Sequence, residues 1–150
     1  MARYKISSKR ELKNPTKNQK RGKRLEDIIE SLLKRTKFRV KRNRILKYKK
    51  TYSEIDFIYG LIRKKYVECK EYKNRSVPLR DISKFYGVLS MMGIKGKKGE
   101  FYTNSKYTKR AKYFAEEHKL KIYNGRDLEK LLKKKKLKKE IKKLKKLGLP

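Results

Sequence analysis

The sequence is short of several residue types, and each shortage closes a class of function. Among 150 residues there is one cysteine, Cys69, and one histidine, His118. A lone thiol excludes an intramolecular disulfide and any cysteine-rich zinc site, and it suits a reducing compartment, so a cytoplasmic location is expected. His118 has no clustered partner and reads as a surface helix residue rather than a ligand or a base. No apolar run approaches the length of a membrane span, and the opening residues lack the apolar segment of a secretory signal, so no membrane association is expected. Acid is scarce as well: 15 Asp and Glu face 49 Lys and Arg, for a net charge of +34. Lysine-rich surfaces built for heat usually carry matching glutamate for ion-pair networks, and that match is missing. Such a field attracts polyanions. Nucleic acid is the expected partner, with binding that weakens steeply as salt rises, because each phosphate contact releases counterions.

The length suits one domain with one modest core. Residues 1–22 hold eight Lys or Arg and a single Glu with few apolar anchors, which reads as a basic flexible arm. From Leu25, the recurrence of Leu25, Ile28, Ile29, Leu32 and Leu33 predicts a first helix. "KFRVKRNRIL" alternates as a half-exposed strand, with "KYKKTY" as a charged loop beside it. "SEIDFIYGLI" and "RKKYVECKEY" predict an antiparallel hairpin turning near Gly60. Pro78 fits the first turn of a second helix through Ile82, Phe85, Tyr86 and Leu89. A strand at "EFYTN", a helix bearing Ala111 and Ala115, a strand at "LKIYNG" and a helix with Asp127 as N-cap follow. Residues 133–150 hold ten Lys and one Glu around Leu137, Ile141, Leu144 and Leu147, a lysine-rich amphipathic tail. Helices alternating with strands imply an α/β sandwich around a mixed sheet of about five strands.

The hairpin carries the candidate chemistry. Alternation puts Glu68 and Lys70 on one face, and a turn between Gly60 and Lys65 brings Asp56 beside or diagonal to Glu68. Two acids that close repel unless something positive lies between them. A hard divalent cation such as Mg²⁺, with Mn²⁺ as an alternative, takes one or two carboxylates plus waters. Asp56 and Glu68 would supply the carboxylates, and the backbone carbonyl of Cys69 a further oxygen. Lys70 would orient a water and offset charge on the reacting phosphate.

"SEIDF" followed by "VECKEY" resembles the active-site hairpin of the PD-(D/E)XK nuclease superfamily, with Asp56 at the first acid and Glu68-Cys69-Lys70 at the E-x-K element. "GKRLEDIIESLLK" resembles the first helix of its Mrr-like restriction endonuclease and archaeal Holliday-junction resolvase branches, where Glu26 stands at the position of a glutamate near the metal. Thr103, Ala111, Ala115, Gly125 and Leu128 carry the likeness further. The resemblance implies a restriction-endonuclease-like α/β/α sandwich, a nuclease domain over residues 23–132, and a metal-dependent DNA endonuclease in which Asp56, Glu68, Lys70 and Glu26 act, Glu26 directly or through a water.

No target-recognition domain accompanies this core, which favours reading of DNA shape and phosphates, as a Holliday-junction resolvase does, over a base sequence. A restriction-type enzyme and a non-catalytic basic DNA-binding protein are the alternatives. A homodimer is expected, since many nucleases that cut both strands pair two sites across a two-fold axis. Lys73 and Arg75, just past the second acid, are candidates for phosphate contact. Tyr48, Tyr52, Tyr72 and Tyr86 are expected in the core. Glu54 is read as a flanking charge at the site mouth and Glu71 as a residue of the opposite face.

Overall fold

The computed structural model describes residues 4–8 and 14–150. One sheet holds six strands in chain order: β1 (Lys5–Ser8), β2 (Lys41–Tyr48), β3 (Thr51–Tyr59), β4 (Lys65–Lys70), β5 (Gly99–Thr103) and β6 (Lys121–Tyr123). β1 to β4 pair antiparallel, while β4, β5 and β6 run parallel. Parallel neighbours need a crossover, and α2 (Leu79–Met91) and α3 (Lys109–Glu117) supply the two required. The remaining helices are α1 (Lys17–Thr36), α4 (Gly125–Lys134) and α5 (Lys138–Leu147).

Apolar stripes sort the helices into two layers. Ile82, Phe85 and Leu89 of α2 and Ala111 and Ala115 of α3 pack with Ile58, Tyr66 and Phe101 on one face of the sheet. On the other, Leu25, Ile28 and Leu32 of α1, Leu128 and Leu132 of α4, and Leu144 of α5 enclose Phe57, Val67 and Tyr102. The α/β/α sandwich is as expected, with six strands instead of about five. The additional strand is β1, whose four residues are all exposed; a strand that buries nothing leaves no apolar alternation to read.

Three local expectations change. α1 begins at Lys17, capped by Thr16, whose hydroxyl accepts from Gln19 N–H while the Gln19 side chain accepts from Thr16 N–H. It thus starts inside the segment 1–22 read as an arm, where β1 also lies; residues 1–3 and 9–13 of that segment fall outside the described residues. Second, "KYKKTY" is mostly strand: β2 reaches Tyr48, β3 starts at Thr51, and Lys49 turns the chain with φ 55°. Third, the cap of α4 is Asn124, not Asp127. Asp127 sits three residues on and returns the bond, so the two residues complete a reciprocal capping box.

The start of α4 is held tightly. A Cβ on Gly125 would stand 2.1 Å from the carbonyl oxygen of Asn104 and 2.7 Å from the Leu149 side chain. Because the nearer obstacle is backbone, Gly125→Ala is expected to destabilise the chain by about 1–3 kcal/mol. A lower urea midpoint would register this, and an unchanged midpoint would mean that the Asn104 loop yields freely.

Candidate active site

β3 and β4 pair Phe57 with Val67, Ile58 with Tyr66 and Tyr59 with Lys65. One step beyond that ladder, Asp56 stands opposite Glu68. Regular pleating fails at this point. Ile55 belongs to the core on the α2 side and Phe57 to the core on the α1 side, although residues two apart on a strand share a face. Across β2 the residue facing Asp56 lies between Arg42 and Arg44; it is Asn43, with a left-handed φ of 54°. The Asp56 carboxylate turns toward β4 and accepts from the Cys69 backbone N–H at 2.7 Å. Asp56, Glu68, Cys69 and Lys70 all line one cavity of about 500 Å³, opposite Asp81, Lys84 and Phe85 of α2.

The acids form a chain. Glu26, from α1, and Glu68 each lie within hydrogen-bonding reach of the Asp56 carboxyl. Burial, then the neighbouring Glu68, holds the Asp56 carboxyl well above its usual range. Burial also pushes Glu68 up to about 7, with a hydrogen bond to Asp56 opposing the rise, Glu26 adding to it, and Lys70 and Lys84 opposing it. Glu26 is pushed up to about 8 by burial and by Asp56, against the pull of Arg42. Carboxyls so placed share protons when no cation is at hand.

Arg42 is the cation on the α1 side. Its guanidinium donates to Asp27 at 2.5 Å, Glu26 at 3.2 Å and Glu30 at 3.5 Å. It was not among the residues read from the sequence, since one more arginine in so basic a chain carries no signal. Asp81 and Lys84 were also missed, although their spacing of three on an amphipathic helix places both on one face.

The other expectations fall as follows. Glu54 is exposed and lines the same cavity. Glu71 points to the α1 side, where Arg21 Nε donates to it at 2.8 Å. Lys73 and Arg75 follow β4 in an exposed loop. Tyr72 is buried, with its hydroxyl on Asp81 and the Arg75 guanidinium 4.5 Å above its ring. Tyr48 and Tyr86 are half-buried against the core. Tyr52 departs from expectation: it is 65 % exposed, under the Lys47 ammonium at the cavity rim. It lies close to the β2–β3 turn, at the mouth of the cavity that α2 faces. His118 is half-buried as the residue that ends α3, with its ring 4.2 Å from Tyr86 and 4.3 Å from Phe114. Burial raises the Cys69 thiol well above its usual range and leaves it a poor nucleophile.

Among the described residues, no group of three or more His, Cys, Asp or Glu is placed to hold a metal ion. The donor set is nonetheless of the right chemistry for a small hard cation. Mg²⁺ retains several waters and needs only one or two carboxylates, and Asp56 and Glu68 face each other with burial disfavouring the charged form of both. Among the described residues no helix is long and apolar enough to cross a membrane.

A family model described as restriction endonuclease, Mrr_cat, matches residues 18–132. Among solved structures, AF1548, a protein of unknown function, superposes with a TM-score of 0.64 at 18% identity, over 85% of this chain and 89% of that one. Can2 from Sulfobacillus thermosulfidooxidans, solved in complex with cyclic tetra-adenylate, gives a TM-score of 0.59 at 23% identity, over 78% of this chain and 35% of its own. VC1899 from Vibrio cholerae gives 0.51 at 13%, over 80% and 33%. This chain therefore spans about a third of the length of Can2 and VC1899, and at such identities the likeness is one of fold. No curated protein matches the sequence.

Proposed function

Because this chain belongs to the Mrr_cat restriction endonuclease family, a PD-(D/E)XK-type nuclease domain, we propose that it is a metal-dependent DNA endonuclease selective for branched DNA such as a Holliday junction. The observation that carries the reading is the convergence of Asp56, Glu68 and Lys70 on one cavity. Asp56, Glu68 and the Cys69 carbonyl would hold Mg²⁺ or Mn²⁺, with Glu26 assisting through a water. A bound divalent ion polarises the scissile phosphate and lowers the pKa of a water. The chain supplies the rest. Lys70, exposed at the end of β4, orients the attacking water and offsets negative charge growing on the phosphate. Phe85 and Phe101 form an apolar floor to the cavity, which limits bulk water and strengthens those charges.

Residues 23–132 form the nuclease unit in this reading, flanked by basic segments that grip DNA. The enzyme works in the cytoplasm as a homodimer, one site to each strand. Nicking of supercoiled plasmid by the parent in Mg²⁺, and none in chelator, is expected. Lys70→Ala should bind DNA as the parent does and cut about 10²–10³-fold more slowly; cutting at the parental rate removes Lys70 from the mechanism. Four-way junction should be cut faster than flap or linear duplex, and equal rates on all three would defeat the structural selectivity.

A further inference from the structure

A second cavity, of about 380 Å³, opens where the β4–α2 loop, the β5–α3 loop and residues 146–150 meet. Arg21, Lys73, Arg75, Lys106 and Lys146 line it, no Asp or Glu side chain does, and the oxygen of Pro150 at its edge accepts from the Arg126 guanidinium. Arg21 is engaged by Glu71 and by the Leu147 carbonyl. Lys73, Lys106 and Lys146 are exposed at the rim, and among the described residues no carboxylate pairs with them. Three ammonium groups and a guanidinium held around one hollow repel one another, and an anion entering it relieves that repulsion.

The walls are fixed. Asn104 accepts from Tyr72 N–H at 3.0 Å, and its amide donates to the Tyr72 carbonyl at 2.9 Å and the Gly148 carbonyl at 3.1 Å. The Ser105 hydroxyl donates to the Arg75 carbonyl at 2.6 Å. These bonds clamp both loops and the end of the chain together, while Asn74 takes a left-handed φ of 57° between Lys73 and Arg75. The clamp fixes the backbone that carries Lys73, Arg75 and Lys106, so the spacing of these cations is set before an anion arrives.

The hollow is also joined to the acid pair. It follows directly on Lys70, and loop residues three to five positions further along reach at most about 10–17 Å from it, within reach of the next few phosphates of a bound strand. Tyr72 lies beneath Arg75 on one side and bonds Asp81 on the other, and Asp81 lines the first cavity. We propose that this hollow is a phosphate socket that takes a backbone phosphate of the DNA strand being cut, a few nucleotides from the scissile one, and sets the strand's register. The placement of the strand rests on the nuclease reading above; the binding does not require cleavage.

The test uses the full chain in chelator, with junctions that each carry one neutral methylphosphonate in place of a phosphate. In the parent, neutralising one or two positions at a fixed distance from the branch point should weaken binding about tenfold. In Lys106→Glu/Lys146→Glu that penalty should vanish. Lys112→Glu/Lys119→Glu makes the same charge change at exposed residues outside the cavity and should keep it. A penalty that survives in the cavity variant, or is lost equally in both variants, overturns the proposal. A flat scan joined to a Tm rise in inorganic phosphate, but not in chloride of equal ionic strength, overturns the assignment to a DNA strand. A localised penalty in a parent that never cuts in Mg²⁺ upholds the socket and defeats the nuclease reading alone.

Discussion

Glu68→Gln should move activity and stability in opposite directions. Plasmid nicking is expected to fall by at least about 10³-fold, as one of the two carboxylates proposed to hold the metal is lost. The folded protein, however, should become harder to melt at pH 8. Glu68 and Glu26 are held up to about 7 and about 8, against an ordinary value of 4.5, so the folded chain keeps protons that the unfolded chain releases. The stability they contribute is fully present below the ordinary value and is lost as pH rises through the folded values. For Glu68 the loss is at most about 3 kcal/mol, or about 5–10 °C in Tm. Parent and variant should melt alike at pH 4 and separate by pH 8, and the comparison cancels the general effect of the +34 charge. Mg²⁺ at pH 8 should raise the Tm of the parent and leave Glu68→Gln where it was. Unchanged nicking would exclude this carboxylate from the chemistry. A variant that melts below the parent at pH 8 would show that the carboxylate is held by a partner rather than repelled.

Arg42→Met is expected to cost about 3 kcal/mol, read as a fall of about 10 °C in Tm. The guanidinium is 16% exposed and bonds Glu26, Asp27 and Glu30 together. Methionine fills much of the same space but leaves three carboxylates crowded on α1 beside Asp56. The figure is set at the low end for a broken buried pair because Asp27 is 42% exposed and solvent screens it. Adding Glu26→Gln to Arg42→Met should recover a good part of the loss, since it removes one of the stranded charges. No recovery would mean that Arg42 matters through its contact with the Phe57 ring, 5.8 Å away, rather than through charge.

Where burial and periodicity coincide, the sequence could be read directly. The stripe from Leu25 to Leu33 could only be one face of a helix, and a turn between Gly60 and Lys65 limited Asp56 to a place beside or diagonal to Glu68, the choice between the two being settled by the β3–β4 ladder. What escaped reading shares a different physical cause. β1 buries nothing, so no pattern marks it. Tyr52 has the spacing of a core residue but stands at the mouth of the cavity, open to solvent. Asn124 and Asp127 are equally good helix starters, and only the geometry shows that they act as a reciprocal pair. Arg42 is one of 49 cations, and what singles it out is a position beneath three acids of another element. Composition hides long-range pairing whenever one charge type saturates the chain.

The order of the strands bears on how the molecule comes together. β2, β3 and β4 follow one another with short turns, five residues in the case of β3 and β4, whereas β1 meets β2 only across α1 and β4 meets β5 only after α2 has been laid down. Loop closure favours the near pairs, so the meander can collapse first and bring Asp56 against Glu68 while the α2 layer with Lys84 is still absent. The crowded acids are then a point of frustration on the way to the native state, and under the metal-dependent reading proposed above a divalent ion between them would ease assembly as well as serve the chemistry.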